Sequence, residues 1–403
     1  MPNSDRQKGH VIIGQSGGAT AVINASLVGA IHEALRIDII DGIYGALYGI
    51  EGILQRKIID LRRESAETLV ALLQTPSAAL GSCRYKLQPE DPDRAINVLR
   101  DLGVRYFLYI GGNDSADTAQ KIYRAAQAAN YDLRVIGIPK TIDNDLPLTD
   151  HCPGFGSAAR FIAQTTQDSA RCTEALPGYV PVKIIEVMGR YAGWLAGAAA
   201  LGKRRPDDPP HLIYVPERAF GRDQFITQVR ATLHAHSYCV VVVVEHVLDT
   251  TGKQLGASPT PEVDAFGHLR VTATAQTLVN LVESEIGARA RYDKPGDLQR
   301  MSTAHLSTTD RDEAYLVGRM ALRYAVRGIT GKMVTLVRAP GARYACETGL
   351  ADLDQIANTQ KLLPPEFLDA TGTGMTPAFL EYARPLIGDP LPGHASLRAE
   401  RVI

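Results

Sequence analysis

Six short apolar runs, separated by helical patterns and each tending to end at a Gly, Asp or Pro cluster, constrain this chain more than any other feature. They cover residues 11–13, 106–110, 135–138, 183–187, 212–215 and 239–244. Apolar residues at consecutive positions are what a strand buried on both faces requires, and the helical stretches between the runs supply the covers. This is the βαβ rhythm of mostly parallel sheets. After the run at 106–110, Ala119, Ile122, Tyr123 and Ala126 fall on one helical face and Asp117, Gln120, Lys121 and Arg124 on the other. The expected fold is α/β, with two Rossmann-like three-layer α/β/α domains facing each other across a cleft. A first domain is expected over 1–145, completed by part of the later chain, because Pro147 and the turn at 151–156 interrupt the pattern. A second is expected over 146–330, and 331–403 reads as an extension packing on the core, whose Gly- and Pro-rich end, from Thr371, is a lightly structured tail.

Bulk properties restrict partners more than chemistry. The 403 residues are 45% hydrophobic and 22% charged, enough to bury a large core. A formal net charge of -1 leaves no global field for nucleic acid or an acidic membrane. Five widely spaced cysteines without metal-ligand spacing read as reduced thiols in a cytoplasm. The first eight residues lack an apolar leader core, and the run at 239–244 is too short to cross a bilayer, so a soluble, unexported protein is expected.

In open α/β sheets ligands bind where strands end, so chemistry belongs in the segments that follow the runs. Three of these are polar and glycine-rich. Residues 14–18, Gly-Gln-Ser-Gly-Gly, precede a helical stretch from Thr20; paired glycines let backbone N–H groups approach an oxyanion, although a tight turn alone needs no more. Residues 111–115, Gly-Gly-Asn-Asp-Ser, begin another helix that Ser115 is placed to cap; two metal-compatible oxygen side chains after two glycines suit a phosphate beside Mg²⁺. Residues 139–145, Pro-Lys-Thr-Ile-Asp-Asn-Asp, combine a proton acceptor, a metal-holding carboxylate and a lysine for a transferring phosphoryl group.

With Met188-Gly189-Arg190 after the next strand, these loops occur in the order and spacing of the phosphofructokinase family, which the chain resembles over roughly residues 10 to 330. ATP-using members of that family usually carry Gly-Gly-Asp-Gly-Ser and Pro-Gly-Thr-Ile-Asp-Asn-Asp, whereas pyrophosphate users place Asp and Lys at the two variable positions. Asp114 and Lys140 stand there in this chain. A carboxylate where glycine left space obstructs a nucleotide's α-phosphate, and Lys140 adds a cation near pyrophosphate. The resemblance implies reversible, Mg²⁺-dependent phosphoryl transfer from pyrophosphate to the 1-hydroxyl of fructose 6-phosphate; the alternatives are sedoheptulose 7-phosphate as main acceptor, an ATP-dependent phosphofructokinase, and a non-catalytic sugar-phosphate-binding subunit.

By the same resemblance Asp143 is the general base, Lys140 and Asp114 complete the catalytic set, and Gly17, Thr141 and Asp145 line the site. Met188, Gly189, Arg190 and Glu245 face the sugar phosphate, Arg291 and Arg300 bind the sugar's phosphate, and Arg84 is a further phosphate-binding arginine. Two positions depart from the family. Asn113 stands where an aspartate usually meets the metal and coordinates as a neutral oxygen. Asp297 replaces His or Tyr in 295–300, where an acidic group repels phosphate and must face a hydroxyl or pair with an arginine. Cys83, beside Arg84 without a histidine near it in sequence, reads as a bystander thiol. Family sites borrow arginines from a neighbouring subunit, which implies a homodimer or homotetramer.

Overall fold

The apolar runs become strands of two sheets. The computed structural model describes residues 8–257, 273–341, 343–395 and 397, so the reading of residues 1–7 lies outside the described residues. The strands are β1 (Gly9–Gln15), β2 (Ile40–Ala46), β3 (Ile58–Asp60), β4 (Val104–Gly111), β5 (Arg134–Pro139), β6 (Val182–Val187), β7 (Leu212–Tyr214), β8 (Cys239–Val244), β9 (Ala290–Asp293), β10 (Lys332–Arg338) and β11 (Cys346–Asp352). A seven-stranded sheet runs β11-β10-β5-β4-β1-β2-β3, parallel except for β3 and β11 at its two edges. A four-stranded parallel sheet runs β7-β8-β6-β9. Ile12, Ile13, Phe107 and Leu108 are fully buried in the first, and all six residues of β8 in the second. That burial on both faces is why these runs do not alternate.

Among the helices, those that bear on the cleft and the domain connection are α1 (Ile23–Ala34), α2 (Asn113–Ala128), α3 (Phe155–Glu174), α4 (Trp194–Ala198), α5 (Leu298–Met301), α6 (Thr308–Val326) and α7 (Pro377–Ala383). Helices α1 and α6 pack closely because a Cβ at Gly29 would strike the Tyr315 carbonyl and one at Gly318 the Ser26 carbonyl. The chain leaves the large sheet after β5, builds the second sheet, and returns through α6. Buried Asp310 of α6 accepts from Gly154 N (2.8 Å), Ser157 N (2.9 Å) and Ser157 Oγ (2.6 Å), satisfying the start of α3. This locks the crossing segment to the returning one.

The return comes earlier than the sequence suggests. Residues 308–326 lie against the first domain, and 332–352 are two strands of its sheet, where 331–403 was expected to be an extension. Pairing with β5, Lys332 opposite Ile136, places β10 there, and such long-range pairing leaves no local mark. The end of the chain also differs from a loose tail: Phe379, Leu386 and Ile387 are buried in the second domain's core. Gln120, assigned to the solvent face of α2, is buried. Helix α1 begins at Ile23, so the loop at 14–18 does not abut its N-terminus.

Candidate active site

Strand register brings the three strand-end loops of the first sheet side by side. Gln15 is opposite Ile110 and Gly111 opposite Pro139, so the loops after β1, β4 and β5 emerge along one edge of the large sheet. Val187 is opposite Val244, so Met188–Arg190 and Glu245 emerge together from the other sheet. Between them lies a cleft of about 770 Å³. Gly17, Arg84, Asn113, Asp114, Lys140, Thr141, Asp143, Asp145, Met188, Arg190, Glu245, Asp297 and Arg300 all line it.

One end of the cleft rests on Lys140, which is 3% exposed and donates to Gly18 O at 2.7 Å. Burial pulls its pKa down to about 8; Arg300 and Arg84 add to the shift, while Asp143 and Asp145 oppose it. The N–H of Gly17 donates to Cys83 O (3.1 Å), and Gly17 O accepts from Ser82 Oγ (2.6 Å), so this turn is held by its neighbours. Asp114 sits in the first turn of α2. Ser115 does not cap that helix: Gly112 is the N-cap residue, and Ser115 packs over Gly111, where a Cβ would collide with it.

Asn113 supplies the metal-compatible feature. Its Nδ2 donates to Asp145 Oδ2 at 3.2 Å, and its buried Oδ1 has no hydrogen-bond partner among the described residues. An orphaned amide oxygen beside a carboxylate fits a hard divalent cation, which takes neutral and anionic oxygens together. The group His151, Glu313 and Cys346 is compact enough to suggest a second metal site. Both His151 ring nitrogens are already engaged, by Asp150 (2.8 Å) and Glu313 (2.6 Å), which makes it an ion cluster instead.

Asp143 and Asp145 face the cleft from one turn. The pKa of Asp143 is pushed up to about 7, first by burial and then by the charge of Asp145, with Glu245 adding and Arg190 and Lys140 opposing. Asp145 is likewise raised by burial. Asp143 N donates to Thr141 Oγ1 at 3.1 Å, and Asn144, buried at φ 55°, donates to Tyr382 OH (2.9 Å) and accepts from Cys152 N (3.0 Å). The turn that aims both carboxylates is therefore fixed from behind.

On the facing wall, Gly189 lies at φ 143° with a would-be Cβ 2.7 Å from Ala192 O, so only glycine fits. It shapes the turn without lining the cleft. Arg190 adopts φ 48°, and its N–H bonds to Glu245, whose pKa is raised by burial. Buried Gln299 accepts from Met188 N (2.9 Å) and donates to Gly296 O (2.9 Å), tying this turn to the one carrying Asp297 and Arg300. Asp297 pairs with Arg300 at 2.8 Å, realising the arginine alternative. Arg300 reaches across the cleft, its Nη1 2.6 Å from where a Cβ on Gly18 would stand.

Arg291 is not brought into the cleft; it is exposed on β9, opposite Lys183. The sequence reading missed Lys294, which pairs with buried Glu186, the rings of Tyr191 and His246, 4.3 Å apart, and Asn358 and Gln360. Lys294 adjoins the 295–300 segment and was within reach of that argument, whereas Asn358 and Gln360 carry no motif.

Comparison with known proteins agrees with this geometry. The phosphofructokinase family matches residues 10–325. A pyrophosphate–fructose 6-phosphate 1-phosphotransferase of Xanthomonas campestris is 42% identical, covering 97% of this chain and 96% of its own. One from Rhodospirillum rubrum is 41% identical, covering 98% of each. The crystal structure of a pyrophosphate-dependent phosphofructokinase from Nitrosospira multiformis superposes with a TM-score of 0.87 at 36% identity, over 97% of this chain and 95% of that one. With its strand-end loops, its aspartate pair and its cross-cleft arginine in one cleft, the chain belongs to the phosphofructokinase family.

Proposed function

We propose that the chain is a pyrophosphate-dependent 6-phosphofructokinase that transfers a phosphoryl group reversibly between pyrophosphate and the 1-hydroxyl of fructose 6-phosphate. The observation that carries this reading is the meeting of Asp114 and Lys140 at one end of the cleft with Asp143 beside them. Pyrophosphate lies between Gly17, Lys140 and Arg300, whose cations balance charge as the bond to the leaving phosphate breaks. The sugar lies against Met188, Arg190 and Glu245, its 1-hydroxyl facing Asp143, which takes the proton as oxygen attacks phosphorus in line. Asn113 Oδ1 and Asp145 would hold Mg²⁺, which when bound neutralises charge on the pyrophosphate oxygens. Exposed Arg291, on an edge strand, is placed to serve a neighbouring copy, in keeping with a homodimer or homotetramer.

Among the described residues no helix is long and apolar enough to cross a membrane, and none of the five cysteines is in a disulfide. The test is an assay matrix of purified protein and Mg²⁺ with pyrophosphate or ATP as donor and fructose 6-phosphate or sedoheptulose 7-phosphate as acceptor. Turnover concentrated in the pyrophosphate and fructose 6-phosphate cell is expected; a faster ATP column would overturn the donor.

The pH profile follows from the same site. Asp143 must be ionised to accept a proton and Lys140 protonated to hold charge. In the forward direction kcat/KM is expected to rise as pH passes about 7 and fall as it passes about 8. The acid limb belongs to the Asp143–Asp145 pair rather than to one carboxyl group. In the reverse direction Asp143 returns the proton and must start protonated, so the optimum moves to lower pH. Initial rates in both directions across pH 6 to 9 check this, and superimposable profiles would contradict it.

A further inference from the structure

The family match ends at residue 325, yet the chain beyond it grips the catalytic loop. Lys361 N donates to Asp145 O at 2.7 Å, and its Nζ donates to Thr149 O (3.1 Å) and Asp150 O (2.8 Å), the loop's continuation. The same ammonium lies 5.0 Å from the centre of the Trp194 ring, and Trp194 Nε1 donates to Lys361 O at 3.1 Å. Trp194 opens α4, four residues after Arg190. Two residues further along, Leu363 N shares Glu217 Oε1 with Gly193 N, at 2.8 and 2.9 Å. One short segment is thus bonded on one side to the loop of the aspartate pair and on the other to the turn that follows Arg190.

These two attachments lie on opposite walls of the cleft. In-line transfer requires the base on one wall and the sugar-holding arginine on the other to keep a fixed separation, and a displacement of about 1 Å costs on the order of 10²-fold in rate. We propose that Lys361 is a positioning residue for phosphoryl transfer, holding the Asp143–Asp145 loop against the turn of Arg190, with Trp194 reporting the contact. This rests on the reading of Asp143 as the base.

Trp194 is the chain's single tryptophan, so its emission is an unmixed signal. Lys361→Met is expected to lower kcat by about 10²-fold with KM for both substrates within about threefold, and to shift Trp194 emission. Lys361→Arg, which can still donate to both carbonyls, is expected to recover about tenfold of that loss. A lysine that merely stabilised the fold would lower the melting temperature and leave kcat per folded enzyme unchanged. The inference is overturned if Lys361→Met melts cooperatively with kcat within about twofold of the parent while Asp143→Ala is inactive. Turnover by Asp143→Ala would instead overturn the reading beneath it, and the inference with it. If Lys361→Met does not fold, Trp194→Phe decides: it removes the indole N–H bond to Lys361, and a reduced kcat at constant KM upholds the proposal while an unchanged kcat overturns it.

Discussion

Asp143→Asn is expected to lower kcat by about 10²- to 10⁴-fold while KM for fructose 6-phosphate and pyrophosphate changes little. Asparagine preserves the size and the backbone bond to Thr141 Oγ1, so the turn keeps its shape, but the amide cannot accept a proton from the attacking hydroxyl. What is lost is an interaction made only as the O–H bond breaks, and such losses appear in kcat. The acid limb of the pH profile is expected to weaken at the same time, because burial and Asp145 raise this carboxyl's pKa. Asp145→Asn provides the contrast: it removes the carboxylate bonded by Asn113 Nδ2, beside that residue's orphaned oxygen, so its defect should lie in the Mg²⁺ concentration needed for half-maximal rate. Steady-state rates at saturating and limiting Mg²⁺ separate the two. Kcat for Asp143→Asn within tenfold of the parent would remove Asp143 from the role of base.

The parts of this site that were legible in the sequence share one property: their chemistry is local. A strand followed by Gly111-Gly112-Asn113-Asp114 or by Lys140-Thr141-Ile142-Asp143 names its own place at a sheet edge, and register alone then sets the loops side by side. Asp297 was legible to the same extent, since pairing with an arginine was one of two alternatives and Arg300 lies one helical turn away. Arg291 was not, because the direction in which a residue of the edge strand β9 faces is set by the assembled sheet and leaves no mark in the local motif. Strand β10 depends on β5, Lys332 opposite Ile136, and the grip of Lys361 and Tyr382 depends on Trp194 and Asp150, all distant in sequence, and such long-range docking gives no periodic signal. The helix starts at Ile23 and Asn113 illustrate a smaller effect: the first helix begins three residues after Thr20, and Gly112 rather than Ser115 is the N-cap of the second.

The joint substitution Asp114→Gly with Lys140→Gly is expected to exchange the donor. Lys140 is buried, its ammonium held by Gly18 O at 2.7 Å and aimed at the donor end, so its removal deletes a preorganised cation worth about 10²- to 10³-fold in pyrophosphate-supported rate. Asp114 stands in the first turn of α2 beside the same space, where its charge and bulk oppose the additional phosphate and nucleoside of ATP. Glycine there leaves the N-terminal N–H groups of α2 to meet an anion directly. The two single variants separate these effects: Lys140→Gly is expected to lose pyrophosphate activity without gaining ATP activity, and Asp114→Gly to weaken the rejection of ATP while the lysine still favours the smaller donor. Only the pair should give an ATP-to-pyrophosphate ratio of kcat/KM above one, because selection is a difference between two donors and both contributions must reverse. A double variant that still prefers pyrophosphate would move the determinant elsewhere in the donor end, with Asn358, hydrogen-bonded to Asp117 of α2, and Gln360 the next residues to change.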